Sequence, residues 1–258
     1  MYSFSILLGL PSGVGDGHNT VSGSLLQAYG NISFTSKEDG SPVTKLDVQV
    51  EKLLRERLTT IAPATGFYGE ETAHDRLAKT SWLVDPIDGT DAFIRGLPMC
   101  SNLISLLEDG QITLGVIYNF AQDEFYHAIR GQGAYMNGQK ITVSNRPFKK
   151  STVIYESSTD YVNEFIYARS LSRTMSAGQV AQRVMYGYDL ALIAAGKIDG
   201  ATCKEPYEHI WDVAPGVLIE EAGGIIRNLQ SGTYNPSNLD FIASTCAIYD
   251  KLKTAKIV

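Results

Sequence analysis

Trp82-Leu83-Val84-Asp85-Pro86-Ile87-Asp88-Gly89-Thr90 is an apolar run that ends in two carboxylates three residues apart and then a Gly-Thr step. It reads as a buried strand that delivers Asp85 and Asp88 to one spot. Two acidic side chains that close repel each other unless they are protonated, paired or bridged by a cation. A cation also accounts for the Gly-Thr step. Gly89 lets backbone approach a ligand closely, and Thr90-Asp91-Ala92-Phe93 reads as a helix N-terminus whose free N–H groups and positive dipole end accept a phosphate. The stretch therefore predicts metal and phosphate side by side.

Upstream, Leu46, Val50, Leu53, Leu54 and Leu58 recur at helical spacing, with Gln49, Glu51, Lys52, Arg55, Glu56 and Arg57 on the other face. This predicts an amphipathic helix over 44–58. A turn-rich loop, Lys37-Glu-Asp-Gly-Ser-Pro42, precedes it, and Val21 to Tyr29 form a shorter helix opening near Asn19 or Thr20. Downstream, Leu103–Leu107 and Ile112–Tyr118 flank Glu108-Asp109-Gly110, and Glu124–Ala128 follows, as in an antiparallel meander. Gly131, Gly133 and Gly138 mark further turns. The second half alternates: strand 152–155, helix 160–171, helix 189–195 closed by Gly196, strand 199–202, then a helix from Val213 to Ala222 with Pro215 in its first turn and Gly223-Gly224 as its stop. Short strands at 225–226 and 241–243 and a last helical turn at 248–253 complete the chain. Strands and helices in layers predict an α/β (α+β) sandwich.

With 258 residues and 44% hydrophobic content the chain can bury one large core or two modest ones. We expect one unit over residues 1–258, with an α+β half at 1–150 that carries the metal motifs and an α/β half at 151–258. The net charge of -6 argues against nucleic acid or an anionic membrane as partner, since either calls for a basic face. Cys100, Cys203 and Cys246 are odd in number and widely spaced, so they suit neither a disulfide framework nor zinc and read as reduced thiols in the cytoplasm. The first ten residues include an apolar stretch but lack the basic start and small-residue cleavage pattern of a signal peptide. No later stretch approaches the roughly 20 apolar residues of a membrane span.

Further acidic residues fall at element ends, where side chains can converge: Asp47, Glu70-Glu71 after Gly69, and Asp212 after Trp211. Gly69-Glu70-Glu71, then Trp82-x-Val84-Asp85-Pro86-Ile87-Asp88-Gly89-Thr90, then Trp211-Asp212-Val213-Ala214 through Glu221-Ala222-Gly223-Gly224 resemble the inositol monophosphatase family, in the family's order. Lys37 through Asp47 resembles its mobile flap. The resemblance runs from about Val21 to the C-terminus and implies a layered α-β-α-β-α sandwich of the sugar-phosphatase type, a homodimer and inhibition by lithium.

It also implies a mechanism. Glu70, Asp85 and the carbonyl of Ile87 would hold one Mg2+; Asp85, Asp88 and Asp212 would hold a second; a third, looser ion would lie near Glu70. All-oxygen ligands suit a hard cation, and the four histidines stand outside these motifs. Asp47 and Thr90 resemble the pair that orients and deprotonates a metal-bound water for in-line attack on phosphorus, with Glu70 assisting at the first metal. The Gly89 and Thr90 N–H groups would hold phosphate oxygens. Glu205, seven residues before Asp212, matches by ungapped spacing a glutamate that binds substrate hydroxyls in some members. Val184-Met185-Tyr186-Gly187 stands where many members carry a Gly-Ser/Thr-Ala stretch, so Tyr186 is a further substrate candidate.

The implied reaction is Mg2+-dependent hydrolysis of a small polyol phosphate, inositol monophosphate first. Histidinol phosphate comes second, since Phe93-Ile94-Arg95-Gly96-Leu97-Pro98 is similar to a stretch of the family's histidinol-phosphate phosphatases. Fructose 1,6-bisphosphate and 3′(2′),5′-bisphosphate nucleotides follow, and a non-catalytic ligand-binding relative is the alternative of another class. Each motif also has a plain structural reading. Thr44-Lys-Leu-Asp47 fits a helix capping box, Glu70-Glu71 a solvated pair, Asp88-Gly89 a turn, and Asp212 an acid favourable to a helix N-terminus. Glu71 is expected to support a ligand or a flap contact. Trp82 and Trp211 read as packing, and His209 as either substrate-facing or surface.

Overall fold

The computed structural model describes residues 21–71, 77–157, 179–182, 187–204, 209–229, 234 and 240–254. At its centre β4 (Thr80–Asp88) pairs antiparallel with β5 (Ser101–Glu108). Side chains alternate along a strand, so residues 85 and 88 belong on opposite faces of a regular one. They share a face because β4 is bulged: Asp85 pairs with Leu103 and Asp88 with Ser101, three steps on one strand against two on the other. Pro86, which has no N–H to give the ladder, sits in the bulge, and its carbonyl accepts the Asn102 side-chain amide.

Beyond β5 come β6 (Gln111–Asn119) and β7 (Glu124–Ile129), the expected meander, which β8 (Gly133–Met136) and β9 (Gln139–Lys140) extend, each strand antiparallel to its predecessor. The β5–β6 hairpin turns at Asp109 and Gly110, both with positive φ (47° and 82°), the geometry for which Asp-Gly is suited. β3 (Gly66–Gly69) adds to the other edge, parallel to β4. A separate hairpin, β1 (Phe34–Ser36) and β2 (Pro42–Thr44), brackets the expected turn-rich loop.

One face of the seven-stranded sheet is covered by α1 (Val21–Ala28) and α2 (Lys45–Ile61), where Leu25, Val50, Leu54 and Leu58 pack on Trp82, Val84, Ile104 and Val116. Each such buried side chain contributes roughly 1.5–3 kcal/mol. Against the other face lie α4 (Gly187–Ala194), α5 (Ile210–Val213) and α6 (Val217–Glu221). These helices are roofed by a second sheet, in which β10 (Thr152–Ser157), β11 (Gln179–Gln182), β12 (Gly200–Lys204), β13 (Ile225–Asn228) and β14 (Phe241–Ser244) run in the order β11-β10-β12-β14-β13. Because α4 lies between two sheets, seven of its eight residues are buried, which explains its nearly continuous apolar sequence. On the outer face of the second sheet, Ile248 and Leu252 of the segment leading into α7 (Tyr249–Thr254) and of α7 itself cover Val153 and Ile242. The layers are α-β-α-β-α, as expected.

Several elements differ from the sequence reading. The single helix expected over 213–222 is three pieces: α5, a 3-10 turn at Ala214–Gly216 and α6. Pro215 lacks the N–H a continuous helix needs there, and Gly216 is wedged so closely that a Cβ would lie 2.7 Å from Ile226. The predicted stop holds, since Gly223 takes φ 84° and the Gly224 N–H donates to the Ile219 carbonyl. Strands β1, β2, β3, β8, β9 and β11 were not anticipated. Glu51, assigned to the solvent face of α2, is fully buried, because it lies four residues from Asp47 and three from Leu54 on the same stripe. The helix expected at 160–171 lies outside the described residues. Cys100, Cys203 and Cys246 are free thiols. Among the described residues no helix is long and apolar enough to cross a membrane.

Candidate active site

The bulge ends β4 with Asp85 and Asp88 buried on the face that looks toward the middle helices. Asp212 reaches them from the first turn of α5. One carboxylate oxygen from each of the three lies within 4.8 Å of the other two. Burial first, and then the charges of Glu70, Asp88 and Asp212, push the Asp85 carboxyl well above its usual range; burial and Asp212 do the same to Asp88. Such a cluster is costly as bare anions, and its donors are all oxygen. Both properties fit a hard divalent cation, which would replace mutual repulsion by shared attraction.

Local hydrogen bonds aim these groups. The Ile87 N–H donates to Asp85 Oδ1 at 2.9 Å, and Ser101 Oγ donates to Asp88 Oδ2 at 3.2 Å. The Gly187 backbone N–H, at the start of α4, faces Asp88 and favours its charged form. His209 N–H donates to Asp212 Oδ2 at 2.8 Å, so Asp212 both braces the start of α5 and belongs to the cluster. Glu70, just past the end of β3, comes within hydrogen-bonding reach of Asp85. It is held from outside by Lys37, whose Nζ lies 2.6 Å from both Glu70 Oε1 and Glu71 Oε1. Lys37 sits in the β1–β2 loop, so Glu71 makes the expected flap contact. Burial pushes the Glu71 carboxyl up to about 7 despite that lysine.

At the opposite rim the chain turns at Gly89, in the left-handed region at φ 78°, into α3 (Thr90–Arg95). The single Thr90 hydroxyl proton has two acceptors within reach, the Ile87 carbonyl at 2.8 Å and Asp47 Oδ1 at 3.0 Å. Asp47 Oδ2 meanwhile accepts the N–H and the hydroxyl of Thr44, closing the capping box that starts α2. One oxygen of Asp47 thus meets the capping reading, and the other is left against the Thr90 hydroxyl. Burial raises the Asp47 carboxyl above its usual range, while the Thr44 and Thr90 donors pull it back.

The sequence reading passed over several residues here. Glu51 Oε2 accepts the Glu71 N–H at 2.7 Å, and a Cβ on Gly69 would lie 2.5 Å from it, so Gly69 is small to admit this carboxylate. A charged residue on an otherwise apolar helical stripe was the available signal. Ser101, Asn102 and Gly187 act through contacts that cross between elements, and no local pattern announces those. Trp82 and Trp211 are buried packing residues, Trp211 between Tyr68 (ring centroids 5.4 Å apart) and the exposed His209 (4.7 Å). Arg95 is exposed at the far end of α3 from Thr90, which favours a surface charge over a substrate anchor. Glu205 and Tyr186 lie outside the described residues.

The profile of the inositol monophosphatase family matches residues 18–257. An inositol-1-monophosphatase from Mesorhizobium japonicum is 34% identical over 210 residues, covering 78% of this chain and 77% of that protein. A histidinol-phosphatase from Chlorobaculum parvum is 33% identical over 201 residues, covering 75% of each. The crystal structure of extragenic suppressor protein suhB from Bartonella henselae superposes with a TM-score of 0.82 at 30% identity, covering 91% of this chain and 93% of that one.

Proposed function

The chain belongs to the inositol monophosphatase family and is a phosphoric monoester hydrolase, and from that premise we propose that it cleaves a small polyol phosphate, inositol monophosphate first, with Mg2+. The observation that carries the reading is the trio of converging carboxylates beside the Thr90–Asp47 pair. Asp85, Asp88 and Asp212, with Glu70 and the Ile87 carbonyl, would hold two to three Mg2+ ions. When bound, magnesium neutralises charge on the phosphoryl oxygens and lowers the pKa of water, so that hydroxide is available near neutral pH.

The protein's own groups then set geometry and move the proton. The backbone N–H groups of Gly89 and Thr90 would hold and orient phosphate oxygens. Thr90 Oγ accepts a hydrogen bond from the attacking water when its own proton is given to Asp47 Oδ1. Asp47, made more basic by burial, receives the proton released by that water. Lys37 draws Glu70 and Glu71 together and keeps the outer edge of the site from carrying two uncompensated charges.

Histidinol phosphate is the second reading, favoured by the likeness to the Chlorobaculum parvum enzyme. The same proposal includes lithium inhibition and a cytoplasmic homodimer, checked by activity with added LiCl and by light scattering. The deciding experiment measures phosphate release from inositol monophosphate, histidinol phosphate, fructose 1,6-bisphosphate and 3′-phosphoadenosine 5′-phosphate, with Mg2+ and with chelator. Inositol monophosphate well above the others, only with Mg2+, is the expected result. Histidinol phosphate in first place would replace the substrate, and no Mg2+-dependent release from any of them would overturn the reading.

A further inference from the structure

Glu124, at the start of β7, lies outside the carboxylate cluster yet gathers both ends of the helix that braces it. Its Oε2 accepts the Tyr188 hydroxyl at 2.5 Å and the Tyr126 hydroxyl at 2.6 Å. Its Oε1 pairs with Lys197 Nζ at 2.7 Å, and that ammonium also donates to the Tyr126 hydroxyl at 3.0 Å. Tyr188 is the second residue of α4, and Lys197 follows Gly196 just beyond its last turn. One carboxylate thus ties the beginning and the end of α4 to a single strand. The Tyr188 ring is buried and meets Tyr126 edge-on at 6.2 Å, so the hydroxyl is held in place by packing as well as by its acceptor.

The start of α4 is also where the active site takes support. Gly187, the residue before Tyr188, turns its N–H toward Asp88. It is clamped there: a Cβ on Gly187 would lie 2.4 Å from Leu103 and 3.1 Å from the Asp212 carbonyl oxygen. Leu103 in turn pairs directly with Asp85 across the sheet. With no free space on that side, a displacement of the first turn of α4 is passed to Asp88 and to the backbone of Asp212. Partners of metal-ligating carboxylates orient them, and losing such a partner weakens the metal.

We propose that Glu124 and Tyr188 form a positioning pair that fixes the first turn of α4, and with it Gly187 between Leu103 and the Asp212 backbone beside Asp88, and thereby sets the affinity of the site for divalent cation. This rests on the reading of Asp85, Asp88 and Asp212 as metal ligands. Neither residue touches the cation or the substrate; both act through the helix.

The test is calorimetric titration of the full chain with Mg2+ in the absence of substrate, alongside thermal melting, for wild type, Tyr188→Phe, Glu124→Gln and Asp88→Asn. Tyr188→Phe keeps the ring and loses only the hydroxyl. Its Mg2+ Kd is expected to rise on the order of five- to ten-fold, with kcat at saturating Mg2+ within about two-fold of wild type. Glu124→Gln is expected to weaken Mg2+ in the same direction, which keeps the idea testable should one variant fold poorly. Melting points lowered while Mg2+ Kd stays within two-fold of wild type would overturn the proposal and leave the pair a purely structural staple. Asp88→Asn separates the two levels. If it binds Mg2+ as tightly as wild type, the ligand reading fails and the proposal with it; if it loses Mg2+ while Tyr188→Phe does not, the positioning pair alone is rejected.

Discussion

Asp47 caps a helix with one carboxylate oxygen and, in the proposed reaction, takes up a proton with the other. Its two oxygens divide the work, Oδ2 closing the cap of α2 and Oδ1 facing the Thr90 hydroxyl. Thr90→Ala removes the hydroxyl without touching the cap or the carboxylate cluster. It is expected to lower kcat about 100-fold or more while leaving Mg2+ affinity close to wild type, read by steady-state kinetics and by calorimetry. A large loss of Mg2+ binding instead would count against the role given to Thr90. The sequence offered capping and catalysis at Asp47 as alternatives, because a capping box and a site residue can carry the same letters; the placement of Thr90, 43 positions away, shows that the cap leaves one oxygen available to a second partner.

At the scale of the element, the bulge in β4 makes the site possible. Were β4 paired regularly from Asp85 to Asp88, their side chains would point to opposite faces of the sheet. Asn102 holds the bulge by donating to the Pro86 carbonyl. Asn102→Ala leaves that buried carbonyl unpaired and is expected to cost about 1–3 kcal/mol of stability, with weaker Mg2+ binding, measured by denaturant unfolding and metal titration. Unaltered Mg2+ affinity in a folded Asn102→Ala protein would show that the bulge holds itself. The motif revealed that the two aspartates act together, but not how, since Pro86 signals a break in pairing without saying which face follows. The late helix failed for a related reason: Pro215 suits a first turn, and the sequence does not reveal that α5 ends just before it.

Glu124 gives this scale a pH dependence. Burial alone would raise its carboxyl, but the Lys197, Tyr126 and Tyr188 donors outweigh that and hold it below the usual glutamate range. A depressed value in the folded state means the contribution to stability is present above the unfolded pKa of about 4.3 and is lost as pH falls through the folded value. The melting-point gap between wild type and Glu124→Gln is therefore expected to be widest above about pH 5 and to narrow steadily toward pH 3. A gap that does not change with pH would contradict this.

Across the whole molecule, the middle helix layer has to hold two sheets in register, and Asp199 is one of its fastenings. Fully buried just before β12, it accepts from Arg146 Nε at 2.9 Å, from the Thr152 N–H at 2.7 Å and from the Ser144 hydroxyl. It so secures the segment that leads from β9 into β10. Asp199→Ala strands these donors, and we expect a loss of about 2–4 kcal/mol in chemical denaturation, with the Mg2+ Kd of the folded protein unchanged because the residue lies outside the site. Alternating strand and helix patterns made a layered α/β sandwich legible, whereas the order of the layers came from the resemblance to the family. Less legible were the short strands β1, β3, β9 and β11, of two to four residues, whose pairing depends on partners distant in sequence.

The claim that unites these scales is that buried carboxylates at the end of β4 form a magnesium site that powers phosphomonoester hydrolysis. Its most direct test is Asp85→Asn, which exchanges the most buried charge of the cluster for a side chain of the same size. Mg2+ titration and phosphate release from inositol monophosphate, measured on the same preparations with circular dichroism as a check on folding, should show native structure with both Mg2+ binding and turnover lost. A folded Asp85→Asn protein that still binds Mg2+ and releases phosphate at the wild-type rate would contradict the account.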